Sequence, residues 1–169
     1  MKVSIIGYGK MGQLIEKAAL ERKVEVVSTI DPFHPAATHK AFSDEAMLGV
    51  DVCICFSQPA VVLENIADAC RWKKQVVVGT TGWVEQMEQV EQMVNENGVG
   101  LVYSSNFSIG VNIFFKIIEL ASQVINKFDV YDILGYEAHH NRKLDSPSGT
   151  AVTMGNILLD NIERKTEVF

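Results

Sequence analysis

Short apolar runs alternate with stretches of helical periodicity along this chain, and the alternation restricts the fold more than any other feature. The apolar runs are rich in Val and Ile, as buried strands are, and helical crossovers between them require the strands to lie parallel. We therefore predict an α/β fold with a doubly wound parallel sheet. The predicted strands are 3–6, 24–30, 50–56, 75–78, 100–103 and 129–137, and the predicted helices are 10–22, 59–73, 83–97 and 109–127, with a further helix opening at 148.

The composition excludes several classes of protein. The 169 residues are 47% hydrophobic and 21% charged, which is typical of one core of good size or two small ones. A net charge of -6 argues against nucleic-acid binding, which needs clustered Lys and Arg. No apolar run approaches the roughly 18 residues that cross a bilayer, so we expect a cytoplasmic protein that does not enter a membrane. Cys53, Cys55 and Cys70 lack metal-ligand spacing and are expected to be reduced core residues.

The strongest functional motif lies between the first predicted strand and the first predicted helix, and reads Gly7-Tyr8-Gly9-Lys10-Met11-Gly12. Gly7 permits a tight turn, Gly9 lets a pyrophosphate approach the backbone, and Gly12 lets helix and strand pack closely. The helix N-terminus adds free N–H groups and the positive end of a dipole. The motif predicts a Rossmann-type, dinucleotide-binding domain, with an ordinary set of turn glycines as the alternative.

Asp31 lies 19 residues after Gly12, at the end of the second predicted strand. A carboxylate at this place accepts hydrogen bonds from a ribose 2′-hydroxyl, which favours NADH over NADPH; a capping role is the alternative. His34, His39 and Lys40 follow in a loop and are able to meet a 2′-phosphate, so the use of both NADH and NADPH stays open.

Three further strands end in small or polar residues, where the carboxyl ends of parallel strands line a cofactor crevice. For each of them an ordinary turn is an equally good interpretation. Asn106 either offers its amide to a nicotinamide carboxamide or caps the next helix. The three strand ends are Phe56-Ser57-Gln58-Pro59, Gly79-Thr80-Thr81-Gly82 and Ser104-Ser105-Asn106-Phe107.

The densest polar segment of the chain runs from Glu137 to Ala151 and holds two histidines, an Arg and a Lys within five consecutive residues. Such a cationic cluster on an acidic protein suits a small substrate that bears carboxylates. Ser148-Gly149-Thr150 then opens a helix, whose first N–H groups form a second anion site. A solvated loop with a helix cap is the alternative, and a metal site is disfavoured because adjacent histidines lack a third ligand at useful spacing.

These motifs together resemble those of the bacterial dihydrodipicolinate reductases, also called 4-hydroxy-tetrahydrodipicolinate reductases, of the diaminopimelate and lysine pathway. The resemblance covers nearly the whole chain. It implies a nicotinamide cofactor, NADH or NADPH, on the N-terminal domain and the reduction of a small cyclic imine dicarboxylate to tetrahydrodipicolinate. The residues that carry it are the glycine motif, Gly79-Thr80-Thr81, Ser105-Asn106-Phe107-Ser108, Glu137-Ala138-His139-His140, Lys143, Asp145 and Pro147-Ser148-Gly149-Thr150-Ala151.

The resemblance also implies individual roles. His139 is similar to the family's proton donor or acceptor, Lys143 to a second proton donor and His140 to a residue that contacts a substrate carboxylate. Ser148, Gly149 and Thr150 resemble the substrate's anion site. The cofactor contacts that the family implies are Gly7, Tyr8, Gly9, Lys10, Met11, Gly12, Asp31, Gly79, Thr80, Thr81, Ser104, Ser105, Asn106 and Phe107.

We expect residues 1–128 to form the dinucleotide-binding domain and residues 129–169 to form part of a substrate-binding and catalytic domain. Family members continue past this point, so the chain is expected to end early; a homo-oligomer, a homotetramer by resemblance, depends on the full substrate domain. One alternative function is a non-catalytic sensor or regulator that binds NAD(P). The other is a different aspartate-pathway dehydrogenase, although the acylating type needs an exposed, activated cysteine.

Overall fold

The computed structural model describes residues 1–139, 141 and 146–167 of the chain. Contacts between Cα atoms divide the chain into two compact units, Met1–Ser105 and Asn106–Phe169. The first unit has an extensive core around a sheet, whereas the described part of the second consists of helices and segments without regular secondary structure. Among the described residues, none of the helices has the length and apolar character needed to cross a bilayer.

The first unit is a five-stranded sheet in the order β2-β1-β3-β4-β5, and all its strand pairs are parallel. This confirms the predicted α/β fold. The order reverses between β1 and β3, which is where ligands bind in open sheets of this kind. The strands are β1 Lys2–Ile6, β2 Glu25–Ile30, β3 Val52–Cys55, β4 Gln75–Val78 and β5 Leu101–Tyr103, and the helices of this unit are α1 Lys10–Glu21, α2 Asp44–Met47, α3 Val62–Arg71 and α4 Met87–Asn97.

Side chains on neighbouring positions of β1 pack on opposite faces of the sheet, as strand geometry requires. Ile5 belongs to a small cluster with Tyr8 and Ala37, against which Ile15 of α1 packs. Ile6 belongs to a larger cluster that includes buried residues of α3 and α4. Both faces of the sheet are therefore covered, and the ends of its strands remain to form a site.

The three cysteines lie in the core, as the sequence predicts: Cys53, Cys55 and Cys70 are free and fully buried. Burial raises the pKa of Cys53 to about 12, and burial likewise raises the pKa of Cys55 and Cys70. Because the thiolate is the reactive form, we expect a disulfide reagent to modify none of the three thiols in the folded protein within minutes and all of them after denaturation. A thiol that reacts rapidly in the folded protein would contradict this burial.

The second unit contains α5, Ile109–Ile125, and α6, Gly149–Asn161, which pack against each other. The side chain of Gln123 on α5 donates a hydrogen bond to Asn161 of α6 at 3.0 Å, and Asn126 accepts one from the backbone of Glu163 at 3.1 Å. Because α5 packs on α6, the division between the two compact units lies near residue 105. The predicted domain boundary at 128 stays a prediction.

The predicted strand at 129–137 is wrong: these residues form no strand in the described structure. Their apolar side chains are largely exposed, with Val130 at 87%, Leu134 at 92% and Tyr136 at 88%. A strand needs a hydrogen-bonded neighbour, and an alternating apolar pattern alone does not provide one. The described part of this unit contains no other strand with which it pairs.

Candidate functional site

The turn between β1 and α1 is built so that two of its glycines have no room for a side chain. Gly7 has a φ of +88°, and a Cβ on it would lie 2.4 Å from the carbonyl oxygen of Phe56. A Cβ on Gly12 would lie 2.2 Å from the carbonyl oxygen of Gly7. Gly7 therefore allows the tight turn and Gly12 the close packing that the sequence predicts. The N–H of Gly7 donates to the carbonyl of Ile30 at 2.9 Å.

Gly9 differs from the other two glycines of the motif. It is the N-cap residue of α1, its φ is an ordinary -73°, and a Cβ on it would meet no atom of the described structure within 4 Å. Gly9 thus faces open space at the positive end of the helix, beside N–H groups that lack intrahelical acceptors. The first turn of α1 contains no acidic residue. This end of α1 is suited to receive an anion such as a pyrophosphate.

The carboxylate of Asp31 holds the glycine turn and the turn that follows β2 together. One oxygen accepts the backbone N–H of Tyr8 at 2.9 Å, and the other accepts the N–H groups of Phe33 and His34, both at 2.9 Å. Burial raises the pKa of Asp31, but the three N–H groups outweigh burial and leave the pKa below its usual value. Asp31 therefore contributes stability above the ordinary carboxyl pKa, and this contribution is lost as the pH falls through the lowered value.

Tyr8 is tied down at several atoms besides its N–H. Its hydroxyl donates to the carboxylate of Glu16 on α1, and its carbonyl accepts the side-chain amide of Gln13 at 3.3 Å. Its ring meets the ring of His34 edge to face, with centroids 5.2 Å apart. Tyr8 is one of the predicted cofactor contacts, and its buried side chain fastens the glycine turn to its surroundings.

The three basic residues after Asp31 lie in one short loop. Lys40 donates its ammonium to the carbonyl of His34 at 2.7 Å, and His39 accepts the backbone N–H of Asp31 through its carbonyl at 3.1 Å. Lys40 is exposed. The backbone of His34 therefore contacts both charges, since its N–H binds the Asp31 carboxylate and its carbonyl binds the Lys40 ammonium. A 2′-phosphate at this loop would meet both repulsion and attraction.

The ends of β3 and β4 are joined by the hydroxyl of Thr80. This hydroxyl accepts the N–H of Ser57 at 3.0 Å and donates to the Ser57 carbonyl at 3.2 Å, and Thr80 is only 5% exposed. A Cβ on Gly79 would collide with the ring of Phe56 at 2.1 Å. Thr80 and Gly79 thus fix the geometry of these strand ends, whereas Thr81 is exposed and able to contact a ligand.

The segment Ser104-Ser105-Asn106-Phe107 crosses the division between the two units. Asn106 accepts the backbone N–H of Ser108 through its side-chain oxygen at 2.8 Å, and Ser108 is the N-cap of α5. Of the two roles open for Asn106, the described contact is the one that supports a helix start. The exposed ring of Phe107 and the serines remain candidate cofactor contacts.

The start of α6 forms the second candidate anion site. Ser148 is the N-cap, and its hydroxyl accepts the N–H of Ala151 at 3.1 Å. Gly149 and Thr150 follow in the first turn, where helix geometry supplies no acceptors for the N–H groups. A Cβ on Gly149 would meet no described atom within 4 Å, so the approach to this backbone is open.

Glu137 connects this helix start to His139. Its Oε1 accepts the N–H of Ser148 at 2.8 Å, and its Oε2 lies 3.3 Å from the Nδ1 of His139. Glu137 is absent from the site residues that the sequence predicts. Its spacing of two residues from His139 was the available signal, because residues i and i+2 of an extended segment lie on one side of the chain. His140 and Lys143 lie outside the described residues.

Two sequence models of one protein family match nearly the whole chain. The model described as "Dihydrodipicolinate reductase, N-terminus" matches residues 1–107, and "Dihydrodipicolinate reductase, C-terminus" matches residues 110–168. The chain belongs to the dihydrodipicolinate reductase family. This confirms the resemblance noted from the motifs, and the border between the two models agrees with the division near residue 105.

Relatives and a solved structure agree with this assignment. The chain is 34% identical to a 4-hydroxy-tetrahydrodipicolinate reductase of Christiangramia forsetii, over 95% of this chain and 64% of that protein. It is 35% identical to one of Methanococcus aeolicus, over 99% of this chain and 69% of that protein. A dipicolinate-bound dihydrodipicolinate reductase from Paenisporosarcina sp. TG-14 matches with a TM-score of 0.79 and 26% identity, over 100% of this chain and 69% of that one. The chain thus spans about two thirds of the length of these relatives.

Proposed function

We propose that the protein is an NAD(P)H-dependent reductase that converts 4-hydroxy-tetrahydrodipicolinate to tetrahydrodipicolinate. Family membership gives the reaction class, and one structural observation supports the cofactor: Gly9 opens α1 toward free space while Gly7 and Gly12 are closely packed. A dinucleotide phosphate needs a close backbone approach of this kind at a helix N-terminus.

The residues present fit a nicotinamide dinucleotide. The N–H groups at the start of α1 would hold its pyrophosphate, and the Asp31 carboxylate, which uses three of its roughly four acceptor positions, has capacity left for a ribose hydroxyl. Thr81 and Ser104 to Phe107 are the proposed contacts nearer the nicotinamide. When bound, the cofactor supplies a hydride, which no side chain of the protein is able to supply.

The chemistry needs a proton as well as the hydride. Loss of the 4-hydroxyl group as water leaves a conjugated C=C–C=N unit, and hydride addition to it leaves a negative charge that one proton neutralises. We propose that His139 donates this proton, with Lys143 as a second donor by family resemblance. An imidazole suits the task because it gains and loses a proton near neutral pH.

The substrate carries two carboxylates, and the start of α6 is the proposed site for one of them. The N–H groups of Gly149 and Thr150 would bind it, assisted by the positive end of the helix dipole, and His140 is the proposed side-chain contact. The open approach to Gly149 supports this assignment.

The test is an absorbance assay of NADH and NADPH oxidation by the intact protein, with the substrate made in place from pyruvate and aspartate semialdehyde by a dihydrodipicolinate synthase. Turnover that depends on the synthase is expected. Tight cofactor binding without turnover would overturn the proposal and favour the alternative of a non-catalytic NAD(P)-binding module. Turnover of an aspartate-pathway aldehyde alone would favour the alternative dehydrogenase.

We further propose that the intact protein acts in the cytoplasm as a homo-oligomer, and as a homotetramer by family resemblance. Light scattering coupled to size-exclusion chromatography measures the subunit number directly. A monomer at working concentration would exclude an oligomer.

Asp31 is expected to favour NADH. We predict that Asp31→Ser raises the ratio of kcat/KM for NADPH to that for NADH about tenfold or more, because repulsion of the 2′-phosphate is lost while Lys40 remains. Lys40→Ala is expected to lower kcat/KM for NADPH and to leave that for NADH nearly unchanged. Asp44→Ser, at an exposed carboxylate of α2, is the matched control. If Asp31→Ser leaves the ratio of kcat/KM for NADPH to that for NADH unchanged, the Asp31 carboxylate does not discriminate between the two cofactors at the ribose.

A further inference from the structure

The contacts of Glu137 go beyond those of a residue that only caps a helix, and its side chain is not simply exposed on the surface. Its two oxygens have different neighbours: Oε1 accepts the backbone N–H of Ser148 at 2.8 Å, and Oε2 lies at ion-pair distance, 3.3 Å, from Nδ1 of His139. Ser148 is 5% exposed and Glu137 has 24% of its side chain exposed, so the carboxylate is held in a partly desolvated position. Such a position strengthens its electrostatic effect on the imidazole.

We infer that Glu137 is a positioning residue for His139, which it orients and fixes in one tautomer. This inference rests on the proposed function, because it concerns the group that we propose as proton donor. Oε2 and Nδ1 lie at ion-pair distance. An ionised carboxylate only accepts hydrogen bonds, so a bond formed across this contact places the hydrogen of His139 on Nδ1. The other nitrogen, Nε2, is then the one that gains and loses the catalytic proton.

The Glu137 carboxylate also fixes the position of His139 relative to the proposed anion site at the start of α6. Ser148 is the N-cap of α6 and directly precedes Gly149 and Thr150. Because Glu137 binds the Ser148 N–H with one oxygen and faces His139 with the other, the imidazole and the start of the helix share one anchor. A substrate carboxylate bound at the helix start would therefore find the proton donor at a fixed distance, which is the condition for efficient proton transfer.

The variant Glu137→Gln tests the orientation of the His139 imidazole while keeping the contact that supports the fold. Its amide oxygen still accepts the Ser148 N–H, so the helix start is kept, but its NH₂ group then faces Nδ1, which must become an acceptor. We expect kcat to fall about 10- to 100-fold, with KM for NADH nearly unchanged and the melting temperature close to that of the wild type.

Nitrogen NMR of histidine-labelled protein gives a readout that does not depend on turnover. The wild type is expected to show a protonated Nδ1 on His139, assigned from the signal that disappears in His139→Gln, and Glu137→Gln is expected to shift the tautomer toward a protonated Nε2. Glu163→Gln, at an exposed glutamate of the same unit, is the control and should change neither the spectrum nor kcat.

The outcomes are distinct. If the wild type shows no turnover, the proposed function fails, and the NMR tautomer still tests the pairing of Glu137 with His139. If the wild type turns over but Glu137→Gln keeps kcat and the His139 spectrum, the inference is overturned. A lower melting temperature with unchanged kcat would overturn it too, since Glu137 would then serve only the helix start. If Glu137→Gln does not fold, the wild-type spectrum is sufficient as a test: an unprotonated Nδ1 on His139 at neutral pH would overturn the inference.

Discussion

Replacing His139 with alanine is expected to lower kcat about 10²- to 10⁴-fold, the usual contribution of a positioned general acid. His139 is 41% exposed, so a substrate is able to reach it, and its other side faces Glu137. The alanine variant keeps the Glu137 bond to Ser148, and we therefore expect the fold and the Kd for NADH to change little. Steady-state kinetics, NADH fluorescence and thermal melting measure the three quantities.

Added imidazole provides the control for this prediction. If the missing group is the proton donor, free imidazole in the assay should restore part of the kcat of His139→Ala and should not affect the wild type. A kcat within about twofold of the wild type would contradict the role of His139. A loss of turnover that follows a loss of NADH binding would contradict it as well, because the defect would then lie in folding or cofactor binding.

Replacing Gly9 with alanine is expected to weaken NADH binding about tenfold or more, which corresponds to about 1.4 kcal/mol or more of binding free energy. The added methyl group would stand in the open space through which a pyrophosphate approaches the start of α1. Because the φ of Gly9 is ordinary, the free energy of unfolding should change by less than about 1 kcal/mol. Fluorescence titration and thermal melting separate the two effects.

Two other glycines serve as matched comparisons. Gly12→Ala is expected to lower the melting temperature, because its Cβ would collide with the Gly7 carbonyl and the strain of such overpacking is typically about 1–3 kcal/mol. Gly135→Ala, whose Cβ would meet no described atom within 4 Å, should leave NADH binding unchanged. If Gly9→Ala binds NADH as tightly as the wild type, Gly9 does not face the cofactor.

The first unit is predictable from sequence because local signals and tertiary packing agree there. The strand predicted at 75–78 is observed as β4 with the same bounds, and the glycine motif stands between β1 and α1 as expected. The short helix α2 is not predicted from sequence, because its single turn begins with the Ser43 cap but lacks a long apolar period. Local pattern is sufficient where each strand has a neighbour that the same pattern also predicts.

The second unit is less predictable because its elements depend on partners that local sequence does not supply. The alternation at 129–137 resembles a strand, yet strand formation needs a paired edge. The boundary near 105 depends on the packing of α5 against α6, a contact between segments far apart in sequence. The pairing of Glu137 with His139 was readable from their spacing, but only the fold shows that Ser148 shares the carboxylate.

The hydrogen bonds that Asp31 accepts limit which substitutions change the preference for NADH or NADPH. The residue that is proposed to read the ribose also joins the glycine turn to the turn after β2, through N–H groups of Tyr8, Phe33 and His34. A substitution that admits a 2′-phosphate therefore leaves backbone donors without their acceptor, at a cost of about 1–3 kcal/mol for each buried one. Natural or designed variants that switch to NADPH are expected to carry a second, compensating substitution in this loop.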